Sequence, residues 1–359
     1  MRTFGVEEEL LLIDAESALP VPSAPELLQL GPDGSAPDGA TLTSELQQEM
    51  LEVVSQPHET LDGLIAEIRA GRRMADDLAR EVGARAVPLA MSPMSVHPHV
   101  ADNDRYREMM RQYGVTARES LTCGLHVHVS IDSDEEGVAV LDRIRVWLPL
   151  LIALSANSPF HDGKDTGYAS YRSVSWRQWP SAGPTDRFGS LAAYRAYEQQ
   201  LLDTGGLLDA GMLYFDARLS RGNPTVEVRV SDVCLMPATA AAIAAIVRAL
   251  VSTSADEWMR GLSAPNVSAA AIRLASWVAG RGGLTGDLVS PLAGRPASAR
   301  LVIDELLDHC GPALEAAGDL GAVRAEVERL FAEGTGAQWQ RQTFAEHGDL
   351  TDVLRGAAS

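Results

Sequence analysis

Residues 5–13 read Gly-Val-Glu-Glu-Glu-Leu-Leu-Leu-Ile, a strand pattern with carboxylates where a buried strand would carry Val or Ile. Side chains alternate along a strand, so Glu7 and Glu9 share one face. Phe4, Val6, Glu8, Leu10 and Leu12 share the other, which is mostly apolar. Two carboxylates side by side on such a strand repel each other and lose hydration. A cation between them relieves both costs, so this segment points to a metal site.

The same design recurs twice. In 123–131 one face is Leu125, Val127, Val129 and Ile131, and the other is His126, His128 and Ser130. In 225–231 the faces are Val226, Val228 and Val230 against Thr225, Glu227, Arg229 and Ser231. If the three strands lie in one sheet, its polar face is a basin of Glu, His and Arg. Any one of them alone reads equally well as a solvated sheet face, and His-x-His alone is a weak signal. Three strands whose polar residues are metal- and anion-binding types favour the basin. Residues 43–55 add Glu45 and Glu52, which share a face if the segment is helical or bent but not on a straight strand. Alone, that segment reads as an exposed amphipathic helix.

Oxygen-rich ligands with little thiol suit Mg²⁺ or Mn²⁺ better than zinc, and several carboxylates imply more than one ion. Such ions together with arginines serve nucleotide phosphates. No Walker A motif is present, and Gly280-Arg281-Gly282-Gly283 is no dinucleotide fingerprint. ATP phosphates would therefore rest on metals and arginines over a sheet.

Composition narrows the partners. The formal charge is −19, from 49 acidic and 30 basic residues, which disfavours nucleic acid and anionic membranes as partners of the whole surface. Hydrophobic content of 46% and charged content of 22% fit a soluble globular protein. Cys123, Cys234 and Cys310 form no Cys-x-x-Cys, and a reduced cytoplasm is the expected compartment. Cys123 reads as structural. No signal-peptide pattern precedes the acidic strand. The longest apolar runs, 146–154 and 238–251, are too short or interrupted by Pro149 and Arg248 to span a membrane.

Along the chain, Pro and Gly mark 20–39 as a loop. Periodicity predicts a helix over 59–82, and 84–91 is a short apolar strand. A helix over 103–113 is capped by Asp102. A strand follows at 121–131, then an apolar helix over 135–156 that Pro149 can kink. Residues 157–189 form a long irregular stretch whose Tyr168, Tyr171, Trp176 and Trp179 argue for an ordered lid or binding loop. A helix at 191–202, a short segment at 213–217 and a strand at 225–230 come next. From Pro237 onward the pattern is almost wholly helical. Strands that do not alternate strictly with helices predict an α+β fold with a largely antiparallel sheet. Without repeat or linker, one catalytic domain over 1–359 is expected, with a helical part from about 237.

In order, several short pieces resemble the carboxylate–amine ligase branch of the type 2 glutamate–cysteine ligases. They are Phe4-Gly5-Val6-Glu7-Glu8-Glu9, residues 45–57, residues 123–130, Ala156-Asn157-Ser158-Pro159-Phe160, Gly167-Tyr168-Ala169-Ser170-Tyr171-Arg172, and Thr225-Val226-Glu227-Val228-Arg229-Val230-Ser231-Asp232. The resemblance runs through most of the chain. It implies a fold related to glutamine synthetase, with a curved, mainly antiparallel sheet forming a funnel and helices outside. It implies that Glu7, Glu9, Glu45, Glu52, His126 and Glu227 hold metal, Mg²⁺ or Mn²⁺. Arg229, with Arg218 as a second candidate, would hold ATP phosphates, and Arg172 a substrate carboxylate. The implied reaction is ATP-dependent: glutamate is activated as an acyl phosphate and joined to cysteine or a similar amine, a weak glutamate–cysteine ligase-like activity. These motifs do not map the amine pocket. Small-molecule substrates are the implied partners, and a homodimer is open. Two other readings stay open: a metal-dependent hydrolase in which His126, His128 and the carboxylates activate water, and a non-catalytic nucleotide-binding protein of the same fold.

Overall fold

A computed structural model describes residues 1–30 and 39–358. In chain order its strands are β1 (Phe4–Asp14), β2 (Thr41–Ser44), β3 (Met50–Val54), β4 (Ala84–Val87), β5 (Gly124–Ser130), β6 (Phe160–His161), β7 (Lys164–Asp165), β8 (Ala217–Leu219), β9 (Thr225–Asp232), β10 (Asp287–Val289) and β11 (Pro296–Ser298). Seven of them form an open sheet in the order β2-β3-β1-β5-β9-β8, with β4 also on β1. Every pairing in it is antiparallel, as the α+β expectation requires.

The apolar alternation sets the back of this sheet. Phe4, Val6, Leu125, Val127, Val129, Val226 and Val228 are buried in one core with the helices Asp134–Ile144, Leu148–Ser155 and Pro237–Met259. Nearer β3 and β4, the β1 residues Leu10 to Ile13 share a second core with Ala75 and Ala79 of the helix Leu61–Glu81. That helix buries Leu61, Leu64, Ile68, Gly71, Ala75 and Ala79 along one stripe, and Thr60 caps it by accepting from Gly63 N at 3.2 Å. Gly71 allows the close approach, because a Cβ there would lie 2.6 Å from Val53 Cγ1. Glu8 also points to this side and is buried. Arg72 of the same helix holds it in a bidentate pair at 2.6 and 2.9 Å and reaches the carbonyls of Cys234 and Leu235. The helix Pro237–Met259 is long and apolar enough to cross a membrane, but 83% of its most apolar window is buried in the protein. Its Arg248 is buried against Asp319 and the Glu59 carbonyl.

Several elements differ from the sequence reading. Within the 20–39 loop, Ala24–Leu30 is a helix whose Ala24 and Leu27 are buried under β1, so tertiary burial overrides the Pro/Gly signal; 31–38 lie outside the described residues. Asn103, not Asp102, caps the helix Asp104–Tyr113 and accepts from Arg105 N at 2.8 Å. The expected helix over 135–156 is two helices, Asp134–Ile144 and Leu148–Ser155. Pro149 sits in the first turn of the second, where its missing N–H costs nothing. β4 ends before Pro88, which cannot donate to a ladder. Residues 43–55 are no helix: β2 and β3 form a hairpin around them. The last third is almost wholly helical, as its pattern predicts, with one small β10–β11 hairpin inside it.

Candidate active site

Register decides which polar residues meet on the front of the sheet. Glu7 stands opposite His126 and Glu9 opposite Glu52. His128 stands opposite Glu227, and Glu227 opposite Arg218. Glu45 joins them from the β2–β3 turn, which supplies the bend that lets it meet Glu52. Between the Leu125 and Val127 rungs, β9 carries an irregularity that sets Arg229 and Val230 against His126 alone. Beyond it Ser231 pairs with Leu125, so strict alternation, which grouped Ser231 with Glu227 and Arg229, fails at that rung.

The donors fall into three groups, in each of which the ligand atoms lie within 4.8 Å of one another: Glu9, Glu45 and Glu52; Glu7, Glu52 and His126; Glu7, His128 and Glu227. All six ligand candidates from the sequence are in them. His128 was left out of that set, although its place two residues from His126 on one strand face was the signal. Glu7 Oε2 lies 3.1 Å from His126 Nδ1, and Glu7 Oε1 lies 3.2 Å from His128 Nε2. Nε2 of His126 is buried without a hydrogen-bond partner among the described residues, with Glu9 Oε1 3.8 Å away.

Electrostatics agrees with a cation site. Burial, then the repulsion of Glu9, pushes the Glu45 carboxyl up to about 8. Burial and Glu45 in turn push Glu52 well up. Burial works against Glu7 too, but hydrogen bonds from His126 and His128 outweigh it and hold this carboxylate well below its usual range. Burial and the Arg229 charge lower His126, which favours the neutral ligand form. Hard oxygen donors, crowded carboxylates and the open Nε2 of His126 fit Mg²⁺ or Mn²⁺.

The arginines flank this basin. Arg218 grips Glu227 in a bidentate pair at 2.7 and 3.1 Å, and Arg229 bonds the same carboxylate. Burial opposes the ionised form of Glu227, but Arg229 and Arg218 win and bring it to about 2. The Arg229 guanidinium lies 5.9 Å from the Trp176 ring and 6.0 Å from that of Tyr214. Arg172 is elsewhere. It is 2% exposed, does not line the cavity, and its guanidinium hydrogen bonds among the described residues are long ones to the carbonyls of Val230 (3.4 Å) and Arg229 (3.5 Å). Its Nε is buried without a partner among the described residues.

A cavity of about 360 Å³ opens over these groups. Trp176 and Trp179 of the 157–189 stretch line it, whereas Tyr168 and Tyr171 pack away from it, against Trp277 and His161. Tyr106 and Arg105 of the helix Asp104–Tyr113 line it as well, and Asp209 holds Arg105 at 2.6 and 3.0 Å. Nothing local in the sequence marks those two, because the packing of their helix brings them there.

The sequence model described as glutamate–cysteine ligase family 2 matches residues 3–356. A protein of Paenarthrobacter aurescens strain TC1, provisionally named glutamate–cysteine ligase 2-1, is 50% identical over 99% of this chain and 94% of its own length. A Streptomyces coelicolor protein, provisionally named glutamate–cysteine ligase 2, is 49% identical over 99% and 97%. Among solved structures, the glutamate–cysteine ligase of Francisella tularensis in complex with AMP aligns with a TM-score of 0.71 over 99% of this chain and 88% of that one. At 17% identity that likeness speaks for the fold alone. The chain belongs to glutamate–cysteine ligase family 2.

Proposed function

We propose that this protein is an ATP-dependent carboxylate–amine ligase that makes a γ-glutamyl amide in the cytoplasm, with 1–359 as one catalytic unit. The observation that carries the reading is the convergence of Glu7, Glu9, Glu45, Glu52, His126 and Glu227 with Arg218 and Arg229 around one cavity. Family membership and the nucleotide in the Francisella ligase support it. Those six residues, with His128, are the ligand candidates. Divalent ions bound there would neutralise phosphate charge.

The γ-carboxylate oxygen of glutamate attacks the γ-phosphorus of ATP, the bond to the bridging oxygen breaks, and ADP leaves. Arg229, steadied by Glu227 and the Trp176 and Tyr214 rings, donates to phosphate oxygens as charge shifts, and Arg218 assists. With those donors engaged by phosphate, Glu227 would be free to hold a divalent cation. Arg172, which the resemblance assigns to a substrate carboxylate, lies outside the cavity lining and instead backs Arg229 through the Arg229 and Val230 carbonyls. Trp176 and Trp179 keep water from the acyl phosphate. An amine, that of cysteine or a similar amino acid, then attacks the acyl carbon and phosphate departs. No side-chain nucleophile is required. Burial pushes the Cys123 thiol well up, in keeping with a structural role.

The test is an ATP-consumption screen of glutamate with a panel of amines, with product masses determined. ADP is expected only when glutamate, an amine and Mg²⁺ are all present, and Glu7→Gln or Glu227→Gln should remove it. Full activity in either variant would sink the site assignment. Metal-dependent hydrolysis without nucleotide would favour a hydrolase, and nucleotide binding without turnover a binding protein.

A further inference from the structure

Asp232 ends β9 opposite Gly124, beyond the irregularity that sets Arg229, and it has 0% exposure. One carboxylate oxygen accepts from Asn157 N at 2.9 Å and Ser158 Oγ at 2.8 Å; the other accepts from Ser170 Oγ at 2.8 Å. A buried carboxylate is costly to place at a strand end, where a neutral side chain would serve packing alone. The two serines show what it organises. Ser158 Oγ accepts from Arg172 N at 3.0 Å, and Ser170 Oγ accepts from Ser173 N at 3.3 Å. One carboxylate thus fixes the start of the short helix Arg172–Ser175, through both serines.

That turn delivers two side chains toward Arg229. The Arg172 guanidinium fills the space beside Gly124, where a Cβ would lie 2.2 Å from Nη2, and it reaches the carbonyls of Arg229 and Val230. The Trp176 ring then lies 5.8 Å from the Arg172 guanidinium and 5.9 Å from that of Arg229.

We infer that Asp232 is a positioning residue: through Ser158 and Ser170 it sets Arg172 and Trp176, and through them Arg229, in the geometry that phosphoryl transfer needs. The kinetic consequence rests on the ligase reading above; the brace itself does not.

The experiment combines glutamate-dependent ADP release with amide hydrogen exchange. Asp232→Asn keeps the size but turns one acceptor into a donor. It is expected to lower kcat by about 10²-fold, the scale of a misplaced catalytic group, with the KM for ATP changing far less. Ser158→Ala with Ser170→Ala should lower kcat in the same way and add little in the Asp232→Asn background. Gly124→Ala, which displaces Arg172 while leaving the Asp232 bonds intact, should also cost kcat. Amides of 172–176 should exchange faster in Asp232→Asn, with those of β5 unchanged. Folded variants with wild-type kcat, fully additive losses or unchanged exchange would overturn the inference. If Asp232→Asn does not fold, the serine and Gly124 variants decide it. If the wild-type protein joins no amine, the ligase reading fails, and exchange at 172–176 alone decides whether the brace exists.

Discussion

Glu7, Glu8 and Glu9 are adjacent and chemically identical, yet alternation sends the middle one to the back of the sheet, where Arg72 holds it at 2.6 and 2.9 Å. Its face was legible in the sequence; its partner, 64 positions away, was not. Removing one member of a buried pair leaves the other charge uncompensated. Glu8→Ala should therefore cost about 3–5 kcal/mol in chemical denaturation, while Mg²⁺ affinity of the folded variant stays at the wild-type value. A variant of normal stability but weakened metal affinity would move Glu8 into the site. Gly124 is the opposite case. Nothing in the sequence near it calls for glycine; the placement of the Arg172 guanidinium excludes a side chain there.

Elements were legible wherever period and length agreed. The helix Leu61–Glu81 starts behind Thr60, and its apolar stripe is the one the sequence displays. Thr60→Ala should destabilise the protein by about 1 kcal/mol and leave kcat unchanged; a stable variant with impaired kcat would mean that the cap matters to the site and not to the helix. Elements were misread where local signals conflicted with packing. Residues 43–55 are rich in helix formers, but Met50, Leu51 and Val53 are buried against β1 and make a strand of the segment. The irregularity in β9 left no mark in the sequence, because both neighbours of the extra residue still alternate polar and apolar. Yet it sets Arg229 and Val230 opposite His126.

Over the whole molecule, the acidic basin should couple stability to pH and to any cation it holds. In the unfolded chain Glu45 ionises near 4.5, but in the fold burial and Glu9 push it up to about 8. Between those values the folded chain keeps a proton that the unfolded chain has lost, so stability falls as pH rises. Glu52 shifts in the same direction. Glu227 runs the other way: held down to about 2, it contributes stability above pH 4.5 that is lost as pH falls through about 2. With a chelator present, the thermal midpoint should therefore drop between about pH 5 and 8. Mg²⁺ should offset that drop, adding about 2.7 kcal/mol at a hundredfold excess over its Kd at one site. A midpoint that ignores both pH and Mg²⁺ would argue against a cation in the basin. Metal binding should also release protons at neutral pH, measurable as buffer-dependent heat in calorimetry.

By itself, the sequence determined the α+β class, the polar and apolar faces of the principal strands up to the β9 irregularity, and the residue types gathered on the polar side. Those follow from side-chain period and donor chemistry, which are local. Tertiary structure alone decided the strand register that sets Glu7 against His126 and Glu9 against Glu52, and it brought His128 into the donor groups. It also placed Arg172 beneath the cavity instead of in its wall, and the Asp104–Tyr113 helix along the rim. Register and helix placement come from burial of surfaces far apart in the chain, and no short window of sequence contains both partners.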